Sequence, residues 1–204
     1  MTADGCGPAA PDGPKHVRLV QLPARAIHAL ATGDLASANL SASITLTPYF
    51  VATDDAGVWQ RRSRQIEDDP ACVPWITRAI WDVDSQVTVG RAGYHGPPDS
   101  SGMVEIGYAI DPLYRRRGYA RAALESLLDR ASLESSVATV RVTIRPDNMA
   151  SRQLAQQYGF VEIGEQWDDD DGLETIYEVR ALNALSPAHR QLAASSQPGV
   201  TRIR

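Results

Sequence analysis

The sequence is poor in the residues that build disulfide, metal and membrane-spanning proteins. Its 204 residues hold two cysteines, Cys6 and Cys72, too few for a disulfide framework. With four scattered histidines they give no zinc-ligand spacing, so no metal site is expected. No stretch approaches the roughly 18 apolar residues that read as a membrane span. The lead from Met1 to Pro14 is rich in Gly, Pro and Ala and lacks a basic start followed by an apolar run. No secretory signal is therefore expected, and the cytoplasm is the expected location. Net positive charge is missing too. The formal charge is −5, which excludes a general attraction to nucleic acid or to an anionic membrane. The common phosphate loops are absent: there is no Gly-x-x-x-x-Gly-Lys-Ser/Thr and no Gly-x-Gly-x-x-Gly after a strand.

What is present reads as one domain. Residues 1–15 are expected to be a flexible lead-in, 16–182 a folded domain, and 183–204 a tail rich in Ser, Pro and Gln. Strands are expected at Val17–Leu22, Trp75–Val83, Val87–Tyr94, Met103–Ile110 and Val137–Ile144. The last is the clearest, because Val140, Val142 and Ile144 alternate with Thr139, Arg141 and Thr143. Helices are expected at Ala24–Leu30, at Val58–Ile66 and from Ala120 onward. There Ala120, Ala123, Leu124, Leu127, Leu128 and Ala131 recur at helical spacing. Pro146-Asp147-Asn148 supplies a turn and the cap of a further helix that runs to Tyr158, where Gly159 stops it. Phe160–Trp167 and Leu173–Arg180 form a last hairpin across Asp168–Gly172. Residues 34–56 carry no decisive pattern. The order β-α-α-β-β-β-α-β-α-β-β predicts an α/β (α+β) domain with a mixed, mostly antiparallel central sheet flanked by helices.

The informative stretch is Glu105-Ile106-Gly107-Tyr108-Ala109-Ile110-Asp111-Pro112-Leu113-Tyr114-Arg115-Arg116-Arg117-Gly118-Tyr119-Ala120. It is a strand, a tight turn, an arginine-rich loop, a glycine and a helix start. A helix start offers unpaired N–H groups and the positive end of the dipole. Glycine lets a ligand approach the backbone, and the arginines add charge, so the arrangement suits a pyrophosphate. The competing reading is a solvated basic loop that caps a helix.

Arg115-x-x-Gly118-x-Ala120 resembles the Arg/Gln-x-x-Gly-x-Gly/Ala signature of the GNAT N-acetyltransferase superfamily. Its context strengthens the resemblance. The signature follows Tyr-Ala-Ile-Asp-Pro, and Asn148-x-x-Ser151, Gly159-Phe160 and an acidic hairpin come after it. The combination is similar to the branch of ribosomal-protein N-terminal acetyltransferases, over roughly 87–180.

The resemblance implies a GNAT-like domain whose central strands, Met103–Ile110 and Val137–Ile144, splay apart around acetyl-CoA as cosubstrate. Backbone groups of Tyr108, Ala109 and Ile110 would pair with the pantetheine arm. Amides of Arg116, Arg117, Gly118, Tyr119 and Ala120 would hold the pyrophosphate, with Arg115 and Arg121 adding charge. Asn148 and Ser151 would lie near the pantetheine and thiol. The implied chemistry is direct acetyl transfer to a primary amine of a small molecule or a protein N-terminus. A backbone N–H near Ile110 would stabilise the oxyanion.

Glu105 is the candidate base, acting directly or through a water, and His95 is the second candidate because an ordinary histidine titrates near neutrality. Ser151 is the candidate acid. The family's usual tyrosine acid is replaced by Ala155, and Tyr158 is expected to lie on the wrong helix face to take over. Trp59, Trp75, Trp81 and Tyr94 are candidates for an acceptor pocket or for the core. Asp168–Asp171 reads as a solvated tip or as an attractor for a cationic acceptor. A non-catalytic acyl-CoA sensor is the alternative function. The expected state is a monomer or homodimer with no nucleic-acid partner.

Overall fold

Seven strands and five α-helices, joined in places by short 3₁₀ helices, occur among the described residues. The computed structural model describes residues 13–169 and 172–183. The expected lead-in, apart from 13–15, and the expected tail, apart from Asn183, lie outside the described residues, as do Asp170 and Asp171 of the acidic hairpin tip. The strands are β1 (Val17–Val20), β2 (Arg78–Asp82), β3 (Val87–Tyr94), β4 (Met103–Ile110), β5 (Thr139–Ile144), β6 (Val161–Asp168) and β7 (Gly172–Arg180). The helices are α1 (Ala24–Ala31), α2 (Leu35–Ser41), α3 (Thr53–Asp68), α4 (Tyr119–Leu133) and α5 (Met149–Gln157). The strands form one sheet in the order β1-β2-β3-β4-β5-β7-β6. Only β4 and β5 run parallel; the other neighbours are antiparallel.

Two apolar layers sandwich the sheet. Ala123, Leu124, Leu127, Leu128 and Ala131 of α4 pack with Val140, Val142, Ile144 and with Ala155 of α5. Ala26, Ile27 and Leu30 of α1 pack with Trp59 and Ile66 of α3. The adjacent residues Ala79 and Ile80 of β2 join opposite layers, as strand alternation requires. The period-2 pattern of β5 and the helical period of α4 therefore place the elements that carry the site.

Two expected elements differ clearly in extent, and a stretch without an expected element holds a helix. The strand expected over Trp75–Val83 shrinks to β2, because Pro70–Trp75 forms a 3₁₀ helix. Asp69 caps it by accepting from the Ala71 amide at 2.9 Å. The helix expected over Val58–Ile66 is longer at both ends, as α3. Residues 34–56, left open by their pattern, contain α2, whose cap Asp34 accepts from the Ser37 amide at 3.0 Å. Among the described residues no helix is long and apolar enough to cross a membrane, and no cluster of metal-ligating side chains occurs.

The sheet opens in its middle. β4 and β5 pair only where Met103, Val104 and Glu105 face Thr139, Val140 and Arg141. Past this point β4 keeps its pairing with β3 as far as Ile110, while β5 keeps its pairing with β7 as far as Ile144. Ile106–Ile110 thus presents one backbone edge without a paired strand among the described residues, the splay that the resemblance implies.

Candidate active site

Two clefts meet at the splay. The first, about 870 Å³, runs from the loop before α4 to the start of α5. The second, about 730 Å³, opens toward α3 and the β6–β7 hairpin. Tyr108, Ala109, Arg145, Asn148 and Ser151 line both.

The loop that shapes the first cleft is held from within. The Asp111 carboxylate accepts from the Leu113 amide at 2.9 Å, and Arg115 folds back to donate from Nε to the Ile110 carbonyl at 3.0 Å. Arg116 has φ 63° and Gly118 φ 90°. Left-handed residues close together turn successive amides toward one point, a concave anion site. Gly118 is the N-cap of α4, and no side chain caps that helix. The first turn of α4 therefore has amides that no cap satisfies, at the mouth of a cleft. A pyrophosphate fits this arrangement, and an extended arm fits the open edge of β4 beside it.

The arginines of the loop divide their work. Arg115 and Arg116 line the cleft. Arg117 does not; its guanidinium stands 5.7 Å from the Tyr114 ring centroid. Arg121 lines the cleft and ties α4 to α5, donating to the Tyr158 hydroxyl at 3.1 Å and to Gln157 Oε1 at 2.5 Å. Asn148 caps α5 by accepting from the Ser151 amide at 3.2 Å. Ser151 and Tyr108 both line the two clefts, and burial pushes up the ionisation of the Tyr108 phenol.

In the second cleft, Glu105 Oε1 accepts from the Thr143 hydroxyl at 2.7 Å, across the splay from β4 to β5. The same oxygen lies 3.5 Å from His95 Nδ1. The imidazole can lie against β4 because residue 107 is glycine. A Cβ there would come within 2.7 Å of His95 Nε2. Backbone at His95 is anchored by the buried Arg62, which donates to the His95 carbonyl at 2.9 Å, to Thr77 Oγ1 at 2.9 Å and to Gln65 Oε1 at 2.6 Å. Desolvation, then the guanidinium charges of Arg62, Arg61 and Arg91, pull the His95 pKa down to about 4. Its imidazole is neutral at pH 7 and a weak proton acceptor, unlike the near-neutral group its residue type suggests.

The expected residues are thus brought together with few exceptions. Glu105, His95 and Ser151 all line the second cleft, with Tyr108 and Ala109. Ile110, Tyr119 and Ala120 line the first. Tyr158 stands apart, its hydroxyl donating to Glu125. Burial and that carboxylate raise its pKa to about 12. Ala155 is packed in the core. The aromatic residues considered for the acceptor pocket line neither cleft. Trp59 stacks on Phe50, and Trp75 packs on Tyr94 with Arg130 above both rings. Asp168 and Asp169 do line the second cleft, so this part of the acidic hairpin, exposed at Asp169, also forms a wall of the site. Thr143 and Arg145 escaped the sequence reading. β5 alternation marks Thr143 as facing away from the α4 core, but only the β4–β5 register brings it to Glu105.

Comparison with known proteins agrees with this fold. The family model described as an acetyltransferase (GNAT) domain matches residues 27–161. The uncharacterized N-acetyltransferase YjdG of Bacillus subtilis is 33% identical over 87 residues, 43% of this chain and 50% of that protein. The L-2,4-diaminobutyric acid acetyltransferase of Streptomyces anulatus is 35% identical over 118 residues, 52% of this chain and 65% of that protein. The matches span about half to two thirds of these two relatives. Mycobacterium smegmatis RimJ, solved with a CoA disulfide, superposes with a TM-score of 0.59 at 21% identity, covering 91% of this chain and 95% of that one.

Proposed function

The chain belongs to the GNAT acetyltransferase family, and we propose from that premise that residues 16–182 form an enzyme which acetylates a primary amine with acetyl-CoA. The observation that carries this reading is the meeting of the two clefts at the β4–β5 splay, with Glu105 on one side and the uncapped start of α4 on the other. Acetyl-CoA supplies an acetyl group activated as a thioester.

The chain's residues supply position and proton traffic. Amides at the start of α4, with Arg115 and Arg116 beside them, hold the pyrophosphate, and the open edge of Tyr108–Ile110 holds the arm. Glu105 takes the proton from the acceptor ammonium, directly or through a water, and the Thr143 hydroxyl orients its carboxylate. His95, neutral at pH 7, adds no cationic charge to repel that ammonium. The Ser151 hydroxyl, on the wall shared by both clefts, is the proton donor on the cofactor side. Tyr158 takes no part. The acceptor is a small molecule or a protein N-terminus.

Calorimetric titration with acetyl-CoA, alongside Gly118→Glu, tests the first half. Binding to the wild type that the variant loses is the expected result. Thiol release with a panel of amines tests the second half. Binding without release by any amine would favour an acyl-CoA sensor over an enzyme.

A further inference from the structure

The second cleft is electrically divided. On its α3 and β3 side stand Arg61 and Arg91; on its β6 and β7 side stand Asp168, Asp169 and Glu174. Glu105 and His95 lie between them, and the charges of both sides reach His95, from Arg61 and Arg91 and from Asp168. The β3–β4 register explains the basic side. Arg91 pairs with Ala109 and Gly93 with Gly107, so Arg91 shares a sheet face with Glu105 and His95. Arg62 is buried and serves the fold, its Nε and Nη1 donating to Thr77, Gln65 and His95.

A cleft built for a simple amine or a polyamine gains nothing from two guanidinium groups in the wall it shares with its base. They would repel the ammonium that must approach Glu105. They are well placed for an acceptor that carries an anion as well as an amine. Resting on the reading above, we propose that the acceptor is a primary amine bearing a carboxylate, its amine toward Glu105 and the acidic wall, its carboxylate on Arg61 and Arg91. Both arginines keep contacts within the fold. A guanidinium has five N–H donors in a planar fork, so a ligand carboxylate joins these contacts without displacing them all.

Binding, not turnover, is the readout. CoA-saturated protein is titrated with pairs of acceptors that differ in the carboxylate alone. Lysine against cadaverine represents free amino acids. The C-amidated peptide Ser-Glu-Ala against Ser-Gln-Ala represents protein N-termini. The carboxylate member of at least one pair should bind about tenfold tighter, the scale of one charge-assisted hydrogen bond; which pair responds identifies the source. Arg61→Gln with Arg91→Gln should erase that preference. CoA affinity should stay unchanged, since neither residue lines the first cleft. Equal or weaker binding of both carboxylate members to the wild type would overturn the proposal. So would a preference that survives the double variant. If the carboxylate preference is found but no acceptor is acetylated, the inference stands and the enzyme reading falls.

Discussion

At the scale of single residues, the site depends on a few polar contacts made across long sequence separations. Glu105 meets Thr143 on the far side of the splay. Glu105→Gln should lower kcat by about a hundredfold, the usual weight of a positioned base, with acetyl-CoA affinity unchanged in a binding assay. Thr143→Val should lower kcat by about tenfold through loss of orientation; an unchanged rate would remove Thr143 from the site. His95 carries a prediction about pH. Its folded pKa, about 4, lies below the ordinary histidine value of about 6.5. The unfolded chain therefore binds the extra proton first as pH falls. Stability contributed by the neutral ring is complete above about pH 6.5 and declines toward pH 4. The ring is 46% exposed, so solvent screens the effect and it is modest. An NMR titration of the ring should show a midpoint well below 6.5, and His95→Gln should flatten the acid side of the stability profile. His95 was legible as a candidate from its residue type, and Glu105 and Ser151 through the strand and the motif that carry the family resemblance. Thr143 was not, because its role depends on a register between strands whose pairing lasts three residues.

At the scale of elements, α4 and α5 begin differently, and the difference matters. The start of α5 is satisfied by Asn148, whereas α4 begins at Gly118 with no side-chain cap. Asn148→Ala should cost about 1 kcal/mol of stability by thermal unfolding. Gly118→Ala places a Cβ on a residue at φ 90°, a strain of about 1–2 kcal/mol. It should weaken acetyl-CoA binding more than Asn148→Ala does. Such elements read well from sequence where period and punctuation agreed, as in α4, β3, β4 and β5. They read poorly where local chemistry competed. The pair Pro70 and Pro74 drew the chain into a 3₁₀ turn and shortened β2. The short helix α2 has one buried residue, Ala38, too little for an apolar stripe, so Asp34 was its only signal. The aromatic residues show the opposite error: their type suits a ligand pocket, yet Trp59 and Tyr94 fill the core, as bulky rings more often do.

At the scale of the whole molecule, strands from both sides of the splay share the core under α4, and the site lies where those strands part. Anything that binds only the folded chain there must stabilise all of it. Acetyl-CoA at a hundredfold excess over its Kd should add about 2.7 kcal/mol, a rise of several degrees in Tm for a chain of this size. Differential scanning should show that rise in the wild type and not in Gly118→Glu. The division of the sheet was foreseen only through family resemblance. Strand patterns report which face of a strand is buried, not whether its neighbour stays beside it.

The open edge of Ile106–Ile110 has a consequence for how the empty and filled forms differ. A paired strand shields its amides, and an unpaired edge leaves them to exchange with solvent. An extended arm lying in the gap becomes a temporary strand of the sheet. Deuterium uptake should therefore fall along the inner edge of β4 on filling and stay as it was along the edge shared with β3. In that sense the ligand completes the protein's own secondary structure, and the molecule is fully woven only while it is loaded.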